Sequence, residues 1–319
     1  MSFVTTKLLY PYPKPPSYSI ASHPEHLIWI PTADAATPLI PCFYYPSESE
    51  NARFFLIFCH GNGCDIGSMH TLMIDYRSAL NVHILAFEFP SYGLCSGTPS
   101  EAAINNHTKH AFHFVHNIIG WPAENIIFYG HSMGSGTACF ATSYFLQNHI
   151  PIGGLILQSA FKSLSDVARD TLAIFRYLFT SIWNNVEEMK FITCPVLLMH
   201  GARDSLIALE HSQRLCDACV SDKKHLAVID YGDHNTIRAE DRVEHIRQFL
   251  NENFLNNHQR LPLPSLHLDE KYWTAPNSVS QPAVDTATGG LFSNLLGLST
   301  ASVNVVSSSL RWTRSSLSS

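Results

Sequence analysis

Eight short runs rich in β-branched and aromatic residues recur through the chain: HLIWIP (26–31), PLIPCFYY (38–45), FFLIFCH (54–60), VHILAFEF (82–89), NIIFYG (125–130), GGLILQ (153–158), CPVLLMHG (194–201) and HLAVIDYG (225–232). Their composition and length mark them as strands. Most are continuously apolar instead of alternating, which is the pattern of strands covered on both faces. Helical patterns fall between them, at roughly 67–80, 101–118, 132–148, 208–220 and 238–255. Strands alternating with helices predict an α/β fold: a mostly parallel eight-stranded sheet flanked by helices on both faces.

The chain has 319 residues, 45% of them apolar and 14% charged, enough for one large core plus extensions. Residues 1–25 hold five prolines and read as an extended arm. Residues 26–256 are expected to form the α/β domain, and 257–319 read as a serine-rich flexible tail. Within that tail GGLFSNLLGLSTASVNVV (289–306) carries apolar residues near helical spacing and no charge, unlike an ordinary surface-binding amphipathic helix.

A net charge of −6 with no Lys/Arg cluster argues against a nucleic-acid partner. The eight cysteines lack the dense spacing of a disulfide framework and no signal peptide is discernible, so free thiols and a cytoplasmic location are expected. Cys216 and Cys219 form a C-x-x-C without a second pair at zinc-ribbon spacing, so neither metal nor cofactor is expected. No uncharged apolar run reaches about 18 residues, which leaves peripheral contact as the expected limit of any membrane association. Ser2 and the terminal SSLSS signal neither myristoylation nor prenylation.

FYGHSMGSG (128–136) places Ser132 in a G-x-S-x-G between a strand and a helix of small residues. A tight turn there holds a serine hydroxyl out, the glycines Gly130 and Gly134 avoid Cβ clashes, and the helix N-terminus favours negative charge. Serine is a weak nucleophile without a base and a carboxylate to orient that base. The loop after CPVLLMHG supplies Asp204 and the loop after HLAVIDYG supplies His234, both at carboxyl ends of strands where sites of open α/β sheets gather. Asp233, adjacent to His234, is the weaker candidate for the acid because neighbouring side chains diverge. The other histidines near strand ends read differently: His60 as a brace of its loop, His131 as pointing away from the nucleophile and His200 as packed. An oxyanion needs backbone donors. The amide of Met133 is one, and HGNG, with His60, Gly61, Asn62 and Gly63, offers the second through Asn62, with Gly63 as alternate.

HGNGCDIGSM (60–69), PSYGLCSGTPSE (90–101), ENIIFYGHSMGSG (124–136), PVLLMHGARDSLI (195–207) and GDHNTI (232–237) together resemble, in order, the α/β-hydrolase-domain-containing proteins, and within them the protein depalmitoylase branch. The chain is also similar to serine aminopeptidase domains of the S33 type. The resemblance implies a serine hydrolase cleaving esters or thioesters through an acyl-enzyme, with acylated proteins or small acyl esters as substrates; an aminopeptidase, an amidase and a non-catalytic module that keeps the fold are the alternatives. Three features depart from the branch, the serine-rich tail among them. The branch's N-terminal cysteine cluster is missing, the first cysteine being Cys42, and Asp233 stands where the family has a small residue before the histidine. Only about 35 residues separate LILQSA from CPVLLMHG, room for a short cap. Leu172, Phe175, Leu178, Phe179 and Trp183 there are candidates to line an acyl channel, though core packing explains that spacing more simply.

Overall fold

The structure is a computed structural model that describes residues 9–32, 39–171, 182–254 and 263–276. All of these belong to one compact unit, Met1–Pro282. The second unit, Ala283–Ser319, and with it the 289–306 stretch, lies outside the described residues.

All eight apolar runs are strands: β1 (Leu27–Pro31), β2 (Leu39–Tyr45), β3 (Phe55–Cys59), β4 (His83–Phe87), β5 (Ile126–His131), β6 (Gly154–Gln158), β7 (Val196–Gly201) and β8 (Lys224–Ile229). They form one sheet in the order β1-β2-β4-β3-β5-β6-β7-β8. β1 and β2 are antiparallel to their neighbours and β3 through β8 run parallel to one another. Every residue of β3, β4, β6 and β7 is buried, as their unbroken apolar character requires. β8, at the sheet edge, leaves Lys224, His225 and Val228 exposed.

Five helices fall where periodicity places them: α1 (His70–Leu80), α2 (Glu101–His113), α3 (Gly134–Gln147), α6 (Leu209–Ala218) and α7 (Ala239–Phe254). Two short ones, α4 (Leu164–Thr171) and α5 (Asn185–Met189), lie between β6 and β7. α2 begins where Ser100 caps it, the Ser100 Oγ accepting from the Ala103 amide at 3.1 Å. It runs on through a π-helical turn, Phe114–Ile118, so the helical pattern read over 101–118 is continuous. Met73 and Tyr76 of α1 share one core face with Ile246 and Phe249 of α7. Phe112 of α2, Phe145 of α3, Met189 of α5 and Leu215 of α6 fill the other. The sheet is thus covered on both sides.

Packing continues past the 26–256 span. Leu9 and Tyr10 are buried in the α2–α3 face and Tyr18 in the α1–α7 face. At the other end, Leu263, Leu266 and Leu268 pack on the core, and Tyr272 is buried with its ring edge-on to Phe114 at 5.1 Å. Residues 263–276 of the segment read as a tail therefore lie against the domain, their leucines on the core and their aromatic rings against Phe114 and Tyr44. No helix among the described residues is long and apolar enough to cross a membrane.

Candidate active site

β5 ends at His131 and α3 starts at Gly134, so Ser132 sits on a two-residue turn. Its φ is +51°, a left-handed conformation that costs a non-glycine residue energy and is retained where surroundings enforce it. The enforcement is visible. The Ser132 amide donates to the Gln158 carbonyl at 3.0 Å and its own carbonyl accepts from the Ser135 amide at 2.9 Å. The glycines on either side permit the close approach. A Cβ on Gly134 would lie 2.1 Å from the Cys59 carbonyl oxygen, and one on Gly130 2.6 Å from the Ser135 Cα.

The structure brings Ser132, His234 and Asp204 together. Ser132 Oγ is 2.9 Å from His234 Nε2, and His234 Nδ1 is 2.8 Å from Asp204 Oδ2. The carboxylate can only accept, so Nδ1 carries the proton and Nε2 is free to accept the serine hydroxyl. Asp204 is further held by the amides of Leu206 at 3.0 Å and Ile207 at 2.8 Å. Burial opposes its ionisation, but hydrogen bonds from His200, His234 and the Ile207 amide outweigh that and hold the carboxyl well below the usual range.

The Gly63 amide is committed to the Pro11 carbonyl at 3.0 Å, which removes the alternate donor. The amides of Asn62 and Met133 have no acceptor among the described residues. The Asn62 side chain fixes its own loop: Nδ2 donates to the Leu9 carbonyl at 2.8 Å and Oδ1 accepts from the Tyr92 hydroxyl at 2.5 Å. Gly61 leaves room for its neighbours, since a Cβ there would lie 3.0 Å from His131 Nδ1 and 3.5 Å from Ser132 Cβ. His60 braces the loop from below, its Nε2 3.0 Å from Glu88 Oε1 with both side chains fully buried, and its ring stacked on Phe89 at 3.9 Å.

Several features escaped the sequence reading. His200 is buried and does more than pack: its Nε2 lies 2.8 Å from the Ile207 carbonyl and 3.3 Å from Asp204 Oδ2, while Nδ1 pairs with Ser212 Oγ at 2.7 Å. His131 does not turn away from the site; its ring lies beside that of His234, centroids 5.7 Å apart. Burial, reinforced by His234, pushes His131 down to about 3. Glu88 ties His60 to the arm through the Tyr18 hydroxyl at 2.9 Å. The one visible signal was a lone acid inside the apolar run ILAFEF. Asp233 does not raise itself as the acid: its carboxylate turns to Ser205 and to backbone.

Of the five acyl-channel candidates, Leu172, Phe175, Leu178 and Phe179 lie outside the described residues. Trp183 is buried core. Its indole donates to Asn105 Oδ1 at 2.9 Å, Tyr10 meets it edge-on at 6.4 Å, and a Cβ on Gly136 would strike it at 2.5 Å. Among the described residues no group of three or more His, Cys, Asp or Glu is arranged to hold a metal ion. Cys219 is buried and Cys216 half-buried, both as free thiols.

No family model matches the chain. Human α/β hydrolase domain-containing protein 17B is 30% identical over 210 residues, which is 65% of this chain and 70% of that protein. The chain belongs to the α/β hydrolase domain-containing family. Mouse protein 17C of the same family is 28% identical over 211 residues, 66% of this chain and 63% of its own length. Solved structures share the fold of this family member. An α/β hydrolase from Vibrio vulnificus superposes with a TM-score of 0.63 at 18% identity, covering 79% of this chain and 94% of that one. An esterase from Pyrococcus furiosus gives 0.57 at 19% identity, covering 74% and 95%.

Proposed function

We propose that this hydrolase cleaves acyl esters and thioesters with Ser132 as nucleophile, His234 as general base and acid, and Asp204 as the carboxylate that orients it, and that its substrates are acyl groups carried on proteins. The observation that carries the reading is the unbroken line of two hydrogen bonds, 2.9 Å and 2.8 Å, from Ser132 Oγ through His234 to Asp204. Membership of a hydrolase family and fold-level likeness to esterases support it. Thioester over amide chemistry, and an acylated protein as the carrier, follow from the resemblance of HGNGCDIG and YGLCSGTPSE to the depalmitoylase branch.

In the acylation step Ser132 Oγ attacks the acyl carbonyl as its proton passes to His234 Nε2. The carbonyl oxygen becomes an oxyanion that accepts from the amides of Met133 and Asn62, each donor contributing roughly 3 kcal/mol to the barrier reduction. The imidazolium is stabilised by Asp204, whose low pKa keeps it ionised. Collapse of the tetrahedral intermediate expels the thiol or alcohol, which takes the proton from Nε2. Water then attacks the acyl-Ser132 ester, giving its proton to the same nitrogen, and the acid is released as Ser132 recovers its hydroxyl hydrogen.

A fluorophosphonate probe tests the reading: it labels the wild type and not Ser132→Ala, whose melting temperature stays close to that of the wild type because, among the described residues, the serine hydroxyl's hydrogen bond is to His234 and alanine keeps the same backbone turn. Labelling that persists in the variant excludes Ser132 as nucleophile. Turnover of a palmitoyl thioester against an aminoacyl anilide separates thioesterase from aminopeptidase, and an acyl-chain-length series reports the acyl group preferred.

A further inference from the structure

Asp233 stands one residue before His234, on the loop that follows β8, and its carboxylate reaches across to the loop that follows β7. Oδ1 accepts from the Ser205 amide at 3.1 Å, with the Ser205 hydroxyl at 3.5 Å, and from the His234 amide at 2.6 Å. Ser205 directly follows Asp204. One oxygen therefore holds the backbone next to each member of the Asp204–His234 pair.

The rest of the loop is built to present that oxygen. The Asp233 amide donates to Thr236 Oγ1 at 2.9 Å, and the Asp233 carbonyl accepts from the Thr236 amide at 3.3 Å, so the turn carrying His234 is closed on its far side. Lower down, the two loops are joined by main chain alone: the Arg203 amide donates to the Gly232 carbonyl at 2.9 Å, and a Cβ on Gly201 would lie 2.3 Å from that carbonyl oxygen. Above this seam, among the described residues, the hydrogen bonds that link the loops at the level of the site are those of Asp233 and the His234–Asp204 bond itself.

Resting on the reading of Ser132, His234 and Asp204 as the reacting group, we infer that Asp233 is a positioning residue: its carboxylate oxygen clamps the two loops so that His234 Nδ1 and Asp204 Oδ2 keep their 2.8 Å bond while Nε2 faces Ser132. What matters is an acceptor at that point, not a negative charge. Asparagine supplies the same acceptor without charge. Glutamate keeps the charge but its longer arm cannot set one oxygen on both amides. Alanine has neither.

Steady-state turnover of p-nitrophenyl butyrate by the full chain separates these cases. The expected result is that kcat falls roughly ten-fold or more in Asp233→Ala and Asp233→Glu with KM within about two-fold of wild type, since sub-ångström misplacement of a base acts on chemistry more than on binding. Asp233→Asn keeps kcat within about three-fold, the amide oxygen standing in for the carboxylate. If the alanine variant does not fold, as read by its thermal transition, the glutamate and asparagine variants carry the comparison. Wild-type kcat in the alanine or glutamate variant overturns the inference, as does an asparagine variant as slow as the others. A wild type that neither turns over ester nor takes a fluorophosphonate instead overturns the assignment of the reacting group, so the two failures are distinguishable.

Discussion

At the scale of single residues, the site is a set of hydrogen bonds whose members differ in how plainly the sequence shows them. Ser132, Asp204 and His234 are legible because each follows an apolar strand and their order suits the chemistry. His200, four residues before Asp204, is not, since an i to i+4 contact across a strand end depends on where the chain turns, and no motif states that. Its bond to Asp204 helps keep that carboxyl ionised. The folded-state pKa of Asp204 is depressed, so its contribution to stability is present above the unfolded carboxylate value of about 3.9 and is lost as pH falls through the folded value. Across the working range Asp204 therefore does not titrate. No Asp204 ionisation is then expected on the acid limb of the kcat/KM profile above about pH 4, and a step there that disappears in Asp204→Asn overturns this. Asp204→Asn is expected to lower kcat by about 10³ to 10⁴, because an amide does not enforce the Nδ1–H tautomer.

At the scale of elements, all eight strands and five helices were readable, since burial on both faces leaves an unbroken apolar run and each longer helix shows its own period. α4 and α5 were not, being five to eight residues long and stabilised by what they pack on. The arm is the larger surprise. Its prolines announced an extended chain, but its grip on the site runs through the carbonyls of Leu9 and Pro11, and a carbonyl is common to every residue. Where the arm does use a side chain, the effect can be measured. The Tyr18 hydroxyl donates to buried Glu88 at 2.9 Å, and Glu88 also contacts His60 and the Ile66 amide. Burial raises the Glu88 carboxyl while the His60 bond lowers it, so the acid is costly to strip of partners. Tyr18→Phe keeps the ring against Phe43, 5.2 Å between centroids, and removes only the hydroxyl. It is expected to cost about 1–3 kcal/mol, seen as a fall of several degrees in Tm, with kcat within about two-fold. An unchanged Tm means that this bond does not anchor the arm.

At the scale of the whole molecule, the unusual quantity is histidine, with 18 in the chain. Several are buried where protonation is penalised. Desolvation pushes His83 and His107 down to about 4, and His131 to about 3. Their folded values lie below the unfolded value of about 6.5, so the unfolded chain binds more protons between the two. Stability is then complete above about pH 6.5 and declines as pH drops toward 4, before most carboxylates titrate. Thermal melts at pH 7.5, 6 and 5 are expected to show Tm falling steadily. His107→Gln removes one proton-binding group while leaving an amide to meet the Glu88 carbonyl that His107 Nδ1 contacts at 3.0 Å, so its melting temperature should depend less on pH than that of the wild type. Equal slopes for the two proteins rule His107 out as a source.

The arm also changes what counts as the smallest working piece of this hydrolase. A fragment beginning at residue 26 would retain every strand and the side chains of Ser132, His234 and Asp204. It would lack the two carbonyls that hold Asn62 and Gly63, and the tyrosine beneath them. In covalent terms the site starts at the loop after β3. In mechanical terms it starts at Leu9, eighteen positions before the first strand, so a boundary drawn at the edge of regular structure cuts away the carbonyls that hold the loop after β3.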